Sequence, residues 1–365
     1  MEKIVEEFIE LAQIDTISRK ERAICDTLKR KLKELGCKVF EDEVLNNIDG
    51  ATAGNIIATI DGGLAGSLLF CAHMDRVQNG YGIKPTIQDG KLVSDGTTIL
   101  AADDLAGVVA ILDGLRQVLA SGKKFPKLEI LFTVCEEIGL RGSYYLDAKR
   151  LHSKFGYVLD SPGRIGRIIV SAMGKNELYL DVYGKEAHCA YPEKGKSALR
   201  AAIKILSQIE DGRVDEETAV NWSYLESLTR PNTVPGRVHA EAFVLSRNDK
   251  IRENYTENYL KVCEAVAQET GCTVEPKAVV KYPAFRVEKT SEGVLLASKA
   301  LKKLGINPSV ENGNGGLDAN LLNKAGIKMV GLSTGYGDNH TVNENIFVDD
   351  LIKSGQLVKE IILGY

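Results

Sequence analysis

Apolar positions first recur with the spacing of a helix. Ile24, Leu28, Leu32 and Leu35 share one face, and Gly36 follows as a stop. Ser18 with Glu21 three residues on predicts a capping box at its start. The pattern then becomes strand, turn, helix. Residues 55–60 predict a strand closed by Asp61-Gly62-Gly63, and 68–72 form a short apolar run that reads as a buried strand. A helix follows over 105–119 with Gly122 just beyond it, then a buried strand over 128–135, a helix over 142–151 and a short strand over 157–159. Strands alternating with helices predict an α/β layer fold with a largely parallel sheet.

Near residue 172 the texture changes. Residues 177–183 alternate as a half-buried strand does, 197–210 read as a helix, 237–245 as an alternating strand, 250–270 as a long amphipathic helix and 272–281 as a closing strand. The α/β texture returns with helices over 292–304 and 318–324, a strand over 327–332 and a helix over 348–363. The expected organisation is one α/β domain in two pieces, 1–171 and 285–365, interrupted by an inserted α+β domain over 172–284.

Composition narrows the function classes. Forty-six basic against fifty acidic residues leave a net charge of −4, which gives no footprint for nucleic acid. The longest apolar runs are far short of the roughly 20 residues needed to span a membrane. The N-terminus lacks a basic segment followed by an apolar one, so no signal peptide is expected. The 7 cysteines include no C-x-x-C pair and fit reduced, mostly buried thiols in a cytoplasmic protein.

Four apolar strands run into potential metal ligands. Residues 68–72 lead into His73-Met74-Asp75, 128–135 into Glu136-Glu137, 157–159 into Asp160, and 327–332 into a Gly-rich loop and His340. Ligands of open α/β sheets bind outside the carboxyl ends of strands, and four separate segments obey that rule. Alone, a His-x-Asp is weak evidence and a Glu-Glu pair is usually a solvated surface; the coincidence is the signal. Asp103-Asp104 adds a fifth candidate, although two carboxylates at a helix start could simply cap it. Two histidines and three carboxylates would hold two divalent ions if one carboxylate bridges them, at about 3.5–4 Å separation. Imidazole and carboxylate suit zinc, with cobalt or manganese as alternatives. A carboxylate that is not a ligand is then needed as general base.

These residues resemble the co-catalytic zinc peptidases of metallopeptidase family 20, which includes peptidase T, carboxypeptidase G and the acetylornithine and succinyl-diaminopimelate deacylases. The resemblance covers nearly the whole chain. It is carried by Ala72-His73-Met74-Asp75, Gly96-Thr97-Thr98, Ala102-Asp103-Asp104-Leu105-Ala106-Gly107, Glu136-Glu137-Ile138-Gly139, Asp160 after its strand, Gly184-Lys185-Glu186-Ala187-His188 and Gly335 to Glu344. Gly96-Thr97-Thr98 and the Gly315-Gly316, Asp318-Ala319-Asn320 stretch are closest to the peptidase T branch. The implied fold is a two-domain zinc exopeptidase: a mixed, mostly parallel sheet flanked by helices, with an inserted lid or dimerisation domain. By resemblance, His73 and Asp160 would bind one metal, Glu137 and His340 the other, and Asp103 would bridge, with Asp104 its competitor. Asp75 would orient His73, and Glu136 would act as base toward a metal-bridged water. A cis peptide is implied after the bridging Asp.

In the inserted domain, the resemblance makes His188 a substrate-contacting residue that often reaches across a homodimer. It makes Arg247 a clamp on a substrate carboxylate, with Asn232 a weaker case, and Gly315 and Gly316 a loop expected to line the substrate by close backbone approach. On their own terms His188 reads as a surface or core histidine and Arg247 as a solvated turn. His152, His239, Cys71 and Cys135 read as structural, and Trp222 and Tyr224 as packing. Arg76 stands where peptidase T has a smaller residue, a change expected to reach the mouth of the site. The expected activity is aminotripeptidase-like hydrolysis of short peptides. Rivals are an amidohydrolase acting on N-acyl amino acids with the same metals, and a non-catalytic metal-binding protein. A dinucleotide-dependent oxidoreductase fits poorly, because no G-x-G-x-x-G follows an early strand.

Overall fold

Four strands, Phe125–Thr133, Gly63–His73, Phe155–Ser161 and Lys328–Ser333, lie side by side and parallel at the centre of a nine-stranded sheet in the computed structural model, which describes residues 2–365. They carry most of each of the four apolar runs of the sequence, with 134–135 and 327 lying outside the strands. Strands buried on both faces read as continuous apolar segments, and here Leu68, Leu69, Phe70, Leu131, Phe132, Tyr157 and Val158 are all buried. The outer strands pair antiparallel, except Ser309–Asn312, which runs parallel to Arg167–Ala172. Ile56–Ile60 pairs with Phe125–Thr133, and Lys38–Glu41 pairs with Ile56–Ile60. On the other side Arg167–Ala172 pairs antiparallel with Lys328–Ser333 and carries Phe285–Arg286 and Ser309–Asn312. The sheet is therefore mixed, and its four central strands open their carboxyl ends along one edge.

Helices flank this sheet. Ala102–Ala120 packs against Val348–Gly364 and Lys3–Ala12. Gly114 makes the first crossing tight: a Cβ there would lie 2.5 Å from the side chain of Val358. These elements belong to one compact unit, Met1–Ala172 with Phe285–Tyr365; Met173–Ala284 forms another. No helix among the described residues is long and apolar enough to cross a membrane.

The second unit is a five-stranded antiparallel sheet in the order Gly212–Arg213, Thr218–Glu226, Arg237–Ser246, Gly174–Tyr183, Thr273–Tyr282. Leu178, Leu180 and Val182 alternate inward, as do Val238, Ala240, Ala242 and Val244. They form one core with Ala198, Ala202 and Ile205 of helix Ala198–Leu206 and with Tyr259, Cys263 and Val266 of helix Asp249–Thr270.

Several local expectations fail for identifiable reasons. The 142–151 helix is only Arg141–Tyr145, because Leu146 turns extended and the Asp147 side chain accepts from Lys149 N to start a separate 3-10 turn. The 197–210 helix ends at Leu206, where Ser207 Oγ donates to the Lys204 carbonyl. The Ser18–Glu21 capping box does not form. Helix Arg22–Glu34 starts after Glu21 without a side-chain cap, while Ser18 and Glu21 bond elsewhere. Gly36 does end that helix region in a left-handed conformation, φ +84°.

Glu41 links helix Arg22–Glu34 to the outermost strand. It accepts from Arg22 Nη1 at 2.7 Å, Lys29 Nζ at 2.5 Å and Gly54 N at 3.0 Å. Burial raises its pKa, but the bonds from Arg22 and Lys29 outweigh this and hold it at about 2. Its folded pKa lies below its unfolded value, so its contribution is present above pH 4.5 and is lost as pH falls toward 2. Discounted for the partly exposed partners, Glu41→Gln is expected to cost about 1–2 kcal/mol at pH 7. Thermal melts would show a midpoint lower by about 2–6 °C, with the difference shrinking below pH 4. A constant difference from pH 7 to pH 3 would refute this role.

Candidate metal centre

The parallel centre of the sheet accounts for the site. His73 ends Gly63–His73, Glu136 and Glu137 follow Phe125–Thr133, Asp160 lies near the end of Phe155–Ser161, and His340 follows Lys328–Ser333 through a loop. Asp103 and Asp104 lie in the first turn of Ala102–Ala120, joined by a cis peptide bond. Their backbone angles are not helical, so neither residue acts as an ordinary cap. Ala101, Cys135 and His340 adopt left-handed φ values of 66°, 54° and 63°, placing non-glycine residues in a costly conformation beside the candidate ligands.

Asp103 is central. One carboxylate oxygen lies 3.0 Å from His73 Nε2, and the other lies 3.3 Å from His340 Nε2. His340 Nε2 is also 3.0 Å from Glu137 Oε1. Ligand atoms of His73, Asp103 and Glu137 all lie within 4.8 Å of one another, as do those of His73, Asp104 and Asp160. Two ligand atoms each about 2.0–2.1 Å from one tetrahedral ion would stand roughly 3.3 Å apart. The 3.0 and 3.3 Å separations and the imidazole–carboxylate donor set therefore fit a divalent cation.

The site concentrates buried carboxylates. Asp75, Asp103, Asp104, Glu136, Asp160, Asp318 and Glu344 are all buried. Burial pushes Glu136, Asp160 and Asp104 well above the usual carboxylate range, and neighbouring carboxylates add to the shift. Asp103 is the exception: burial raises it, but bonds to His340 and His73 outweigh this and lower it. His340 is raised to about 10 by Asp103 and Glu137. Burial disfavours a charged His73, yet its bonds to Asp103 and Asp75 raise it well above 6.5. Two imidazoles do not balance so many carboxylates, and bound cations would.

Behind these groups lie residues that hold them. Asp75 accepts from Glu136 N at 2.9 Å and from Glu137 N at 3.3 Å, with His73 Nδ1 3.5 Å away. The backbone carbonyl of Asp75 is closer to that nitrogen, at 3.1 Å. Asp104 accepts from the backbone of His73 at 3.2 Å and of Gly107 at 3.1 Å. Glu136 is buried and belongs to neither group of clustered ligand atoms.

Four supporting residues were not assigned roles from sequence. Tyr336 Oη donates to Asp160 at 2.9 Å, and Asn339 Nδ2 donates to Asp103 at 2.7 Å. Glu344 accepts from the backbone of Leu100, Ala101 and Asp103 at 2.8–2.9 Å. Ser18 Oγ donates to Asp75 at 2.6 Å. The first three lie in the Gly335–Glu344 motif that the sequence marks. Ser18 carried only a misleading helix-cap signal.

Arg76 corrects an expectation. It is fully buried, and its guanidinium donates to the carbonyls of Leu11, Ala12, Ile14 and Gly80. It locks the end of helix Lys3–Ala12 and does not line the site mouth. Cys71 and Cys135 are buried; Cys71 Sγ lies 3.7 Å from Asp318, and Cys135 Sγ lies 3.2 Å from Glu21. His152 binds Glu129, and His239 lies between Asp181 and Glu241. Trp222 packs near Tyr259, whereas Tyr224 is exposed and donates to Glu226.

Within the second unit, His188 and Asn232 are neighbours. His188 bridges to Thr233, and Cys189 N donates to the Asn232 carbonyl at 2.9 Å. Arg247 follows the far end of Arg237–Ser246, a ten-residue strand, so about 30 Å separates it from that loop pair. Arg247 lies at the end where Met173 and Ala284 connect the unit, and His188 and Asn232 lie at the opposite end. Gly315 is exposed and Gly316 half-buried in the loop before helix Asp318–Lys324.

The chain is 38% identical to aminopeptidase PepT from Bacillus cereus ATCC 10987, with a TM-score of 0.95 over 100% of this chain and 98% of that one. It is 32% identical to a tripeptidase from Staphylococcus aureus, with a TM-score of 0.95 over 99% and 97%. The protein YqjE of Bacillus subtilis is 37% identical over 99% of this chain and 97% of its own length. The family described as Peptidase family M20/M25/M40 matches residues 69–364, and the chain belongs to it as a peptidase-type hydrolase.

Proposed function

We propose that the protein is a metal-dependent exopeptidase that cleaves short peptides from the amino end, as an aminotripeptidase does. The observation that carries the reading is Asp103, whose two oxygens face the two imidazoles at 3.0 and 3.3 Å. Likeness to an aminopeptidase and a tripeptidase supports the substrate class. His73 and Asp160 would hold one divalent cation, Glu137 and His340 a second, with Asp103 shared; zinc is the first choice. When bound, such a pair polarises the scissile carbonyl and acidifies an attacking water.

The chain's own residues supply the remaining parts. Glu136, buried and outside the ligand groups, takes the proton of the attacking water and returns it to the leaving amine. Asp75 fixes the imidazole of His73 and the Glu136–Glu137 turn together. Arg247 grips the substrate carboxylate, and the Gly315-Gly316 loop offers close backbone approach. His188 and Asn232 lie remote from the unit's chain connections, which suits contact with a second copy. The protein is accordingly read as a homodimer through residues 172–284, cytoplasmic, with its cysteines free.

The test is turnover of di- and tripeptides and N-acyl amino acids by metal-stripped protein, with zinc, cobalt or manganese restored. Tripeptide cleavage from the amino end that returns with metal is the expected result. Activity confined to N-acyl amino acids would move the protein to the deacylases. Failure to bind two metals would sink the site assignment.

A further inference from the structure

We propose that Ser18, from the loop between helices Lys3–Ala12 and Arg22–Glu34, is a positioning residue for the metal centre. The proposal rests on the metal reading above. Ser18 lies outside residues 69–364, the part matched by the family. Its hydroxyl donates to Asp75 Oδ2 at 2.6 Å, the shortest contact that carboxylate makes. The other Asp75 oxygen accepts from Glu136 N at 2.9 Å. One buried carboxylate thus ties together the strand end bearing His73, the turn bearing Glu136 and Glu137, and the N-terminal loop.

The loop is itself anchored. Ser18 N donates to the Arg76 carbonyl at 3.0 Å, and the Arg76 guanidinium holds the carbonyls of Leu11, Ala12 and Ile14. Glu21 Oε1 accepts from Cys135 N at 3.1 Å, one residue before Glu136. Ser18 does not cap the helix that follows, so its hydroxyl is not spent on secondary structure. Without that hydroxyl, Asp75 Oδ2 keeps only the longer 3.3 Å bond from Glu137 N. The carboxylate can then rotate, and His73 and the Glu136–Glu137 turn lose their shared anchor. Residues that orient metal ligands typically change affinity by about 10–100-fold when removed.

The experiment compares wild type, Ser18→Ala and Ser18→Thr, measuring zinc affinity by chelator competition, kcat and KM, and the melting of stripped protein. Ser18→Ala is expected to lose about tenfold or more in zinc affinity and to fall in kcat rather than rise in KM. Stripped Ser18→Ala should melt within a few degrees of stripped wild type, and Ser18→Thr should restore most of the affinity. Zinc affinity within twofold of wild type in Ser18→Ala overturns the proposal, as does failure of Ser18→Thr to restore it. A Ser18→Ala protein that does not fold assigns the hydroxyl a structural role and overturns it too. Wild type that binds no zinc would instead overturn the metal reading, so the two failures are distinct.

Discussion

Glu136→Gln is expected to lower kcat by about 100- to 10,000-fold while two metal ions remain bound. The amide keeps the size of the side chain and leaves the backbone bond from Glu136 N to Asp75 in place. What it removes is an oxygen able to take and return a proton. Because Glu136 is absent from both groups of clustered ligand atoms, the cations should not depend on it. Metal content by mass spectrometry and steady-state kinetics on one preparation separate the two properties. Retention of more than a tenth of wild-type kcat would reject Glu136 as the base. Loss of a metal ion would make it a ligand, and a non-catalytic metal-binding protein would show no wild-type turnover to lose.

The candidate centre was legible where burial shapes the sequence. The four central strands sit between helix layers, so the runs that approach the site are largely apolar, and the polar residue that follows each run stands out. Their parallel pairing then brings His73, Glu137, Asp160 and His340 to one edge without a sequence motif spanning them. Strands with a polar face were harder to see. Thr218–Glu226 offers no clean alternation in the sequence: a register shift falls between Trp222 and Tyr224, and Asn221 is exposed. The antiparallel strand Arg167–Ala172 is largely buried but sits where the texture of the sequence changes, so its run does not stand out.

None of the supporting contacts is local: Tyr336 reaches Asp160 across 176 positions, Asn339 reaches Asp103 across 236, and Ser18 reaches Asp75 across 57. Spacing rules do not register such a contact. The same limit explains Arg76: its position beside Asp75 suggested the site mouth, but consecutive residues leaving a strand point to different sides. Its guanidinium turns toward helix Lys3–Ala12, whose last carbonyls lack partners within the helix.

Asp103 and Asp104 are chemically identical neighbours, and their surroundings predict opposite consequences for the same substitution. Asp103→Asn puts an amide nitrogen where an oxygen faces either His73 Nε2 or the pair His340 Nε2 and Asn339 Nδ2. A shared ligand affects both cation positions, so metal affinity should fall by more than the roughly 10–100-fold typical of residues behind the ligands. Turnover should fall with it. The oxygens of Asp104 instead accept from the backbone of His73 and Gly107. Asp104→Asn must turn an amide N–H toward one of those N–H groups, and a buried unmade bond costs about 1–3 kcal/mol. Its expected signature is a lower melting point in stripped and loaded protein alike, with two ions still bound. Yet Asp104 also shares a cluster with His73 and Asp160, so the reverse result is physically available. If Asp104→Asn loses the metals and Asp103→Asn keeps both, the shared ligand is Asp104 and not Asp103.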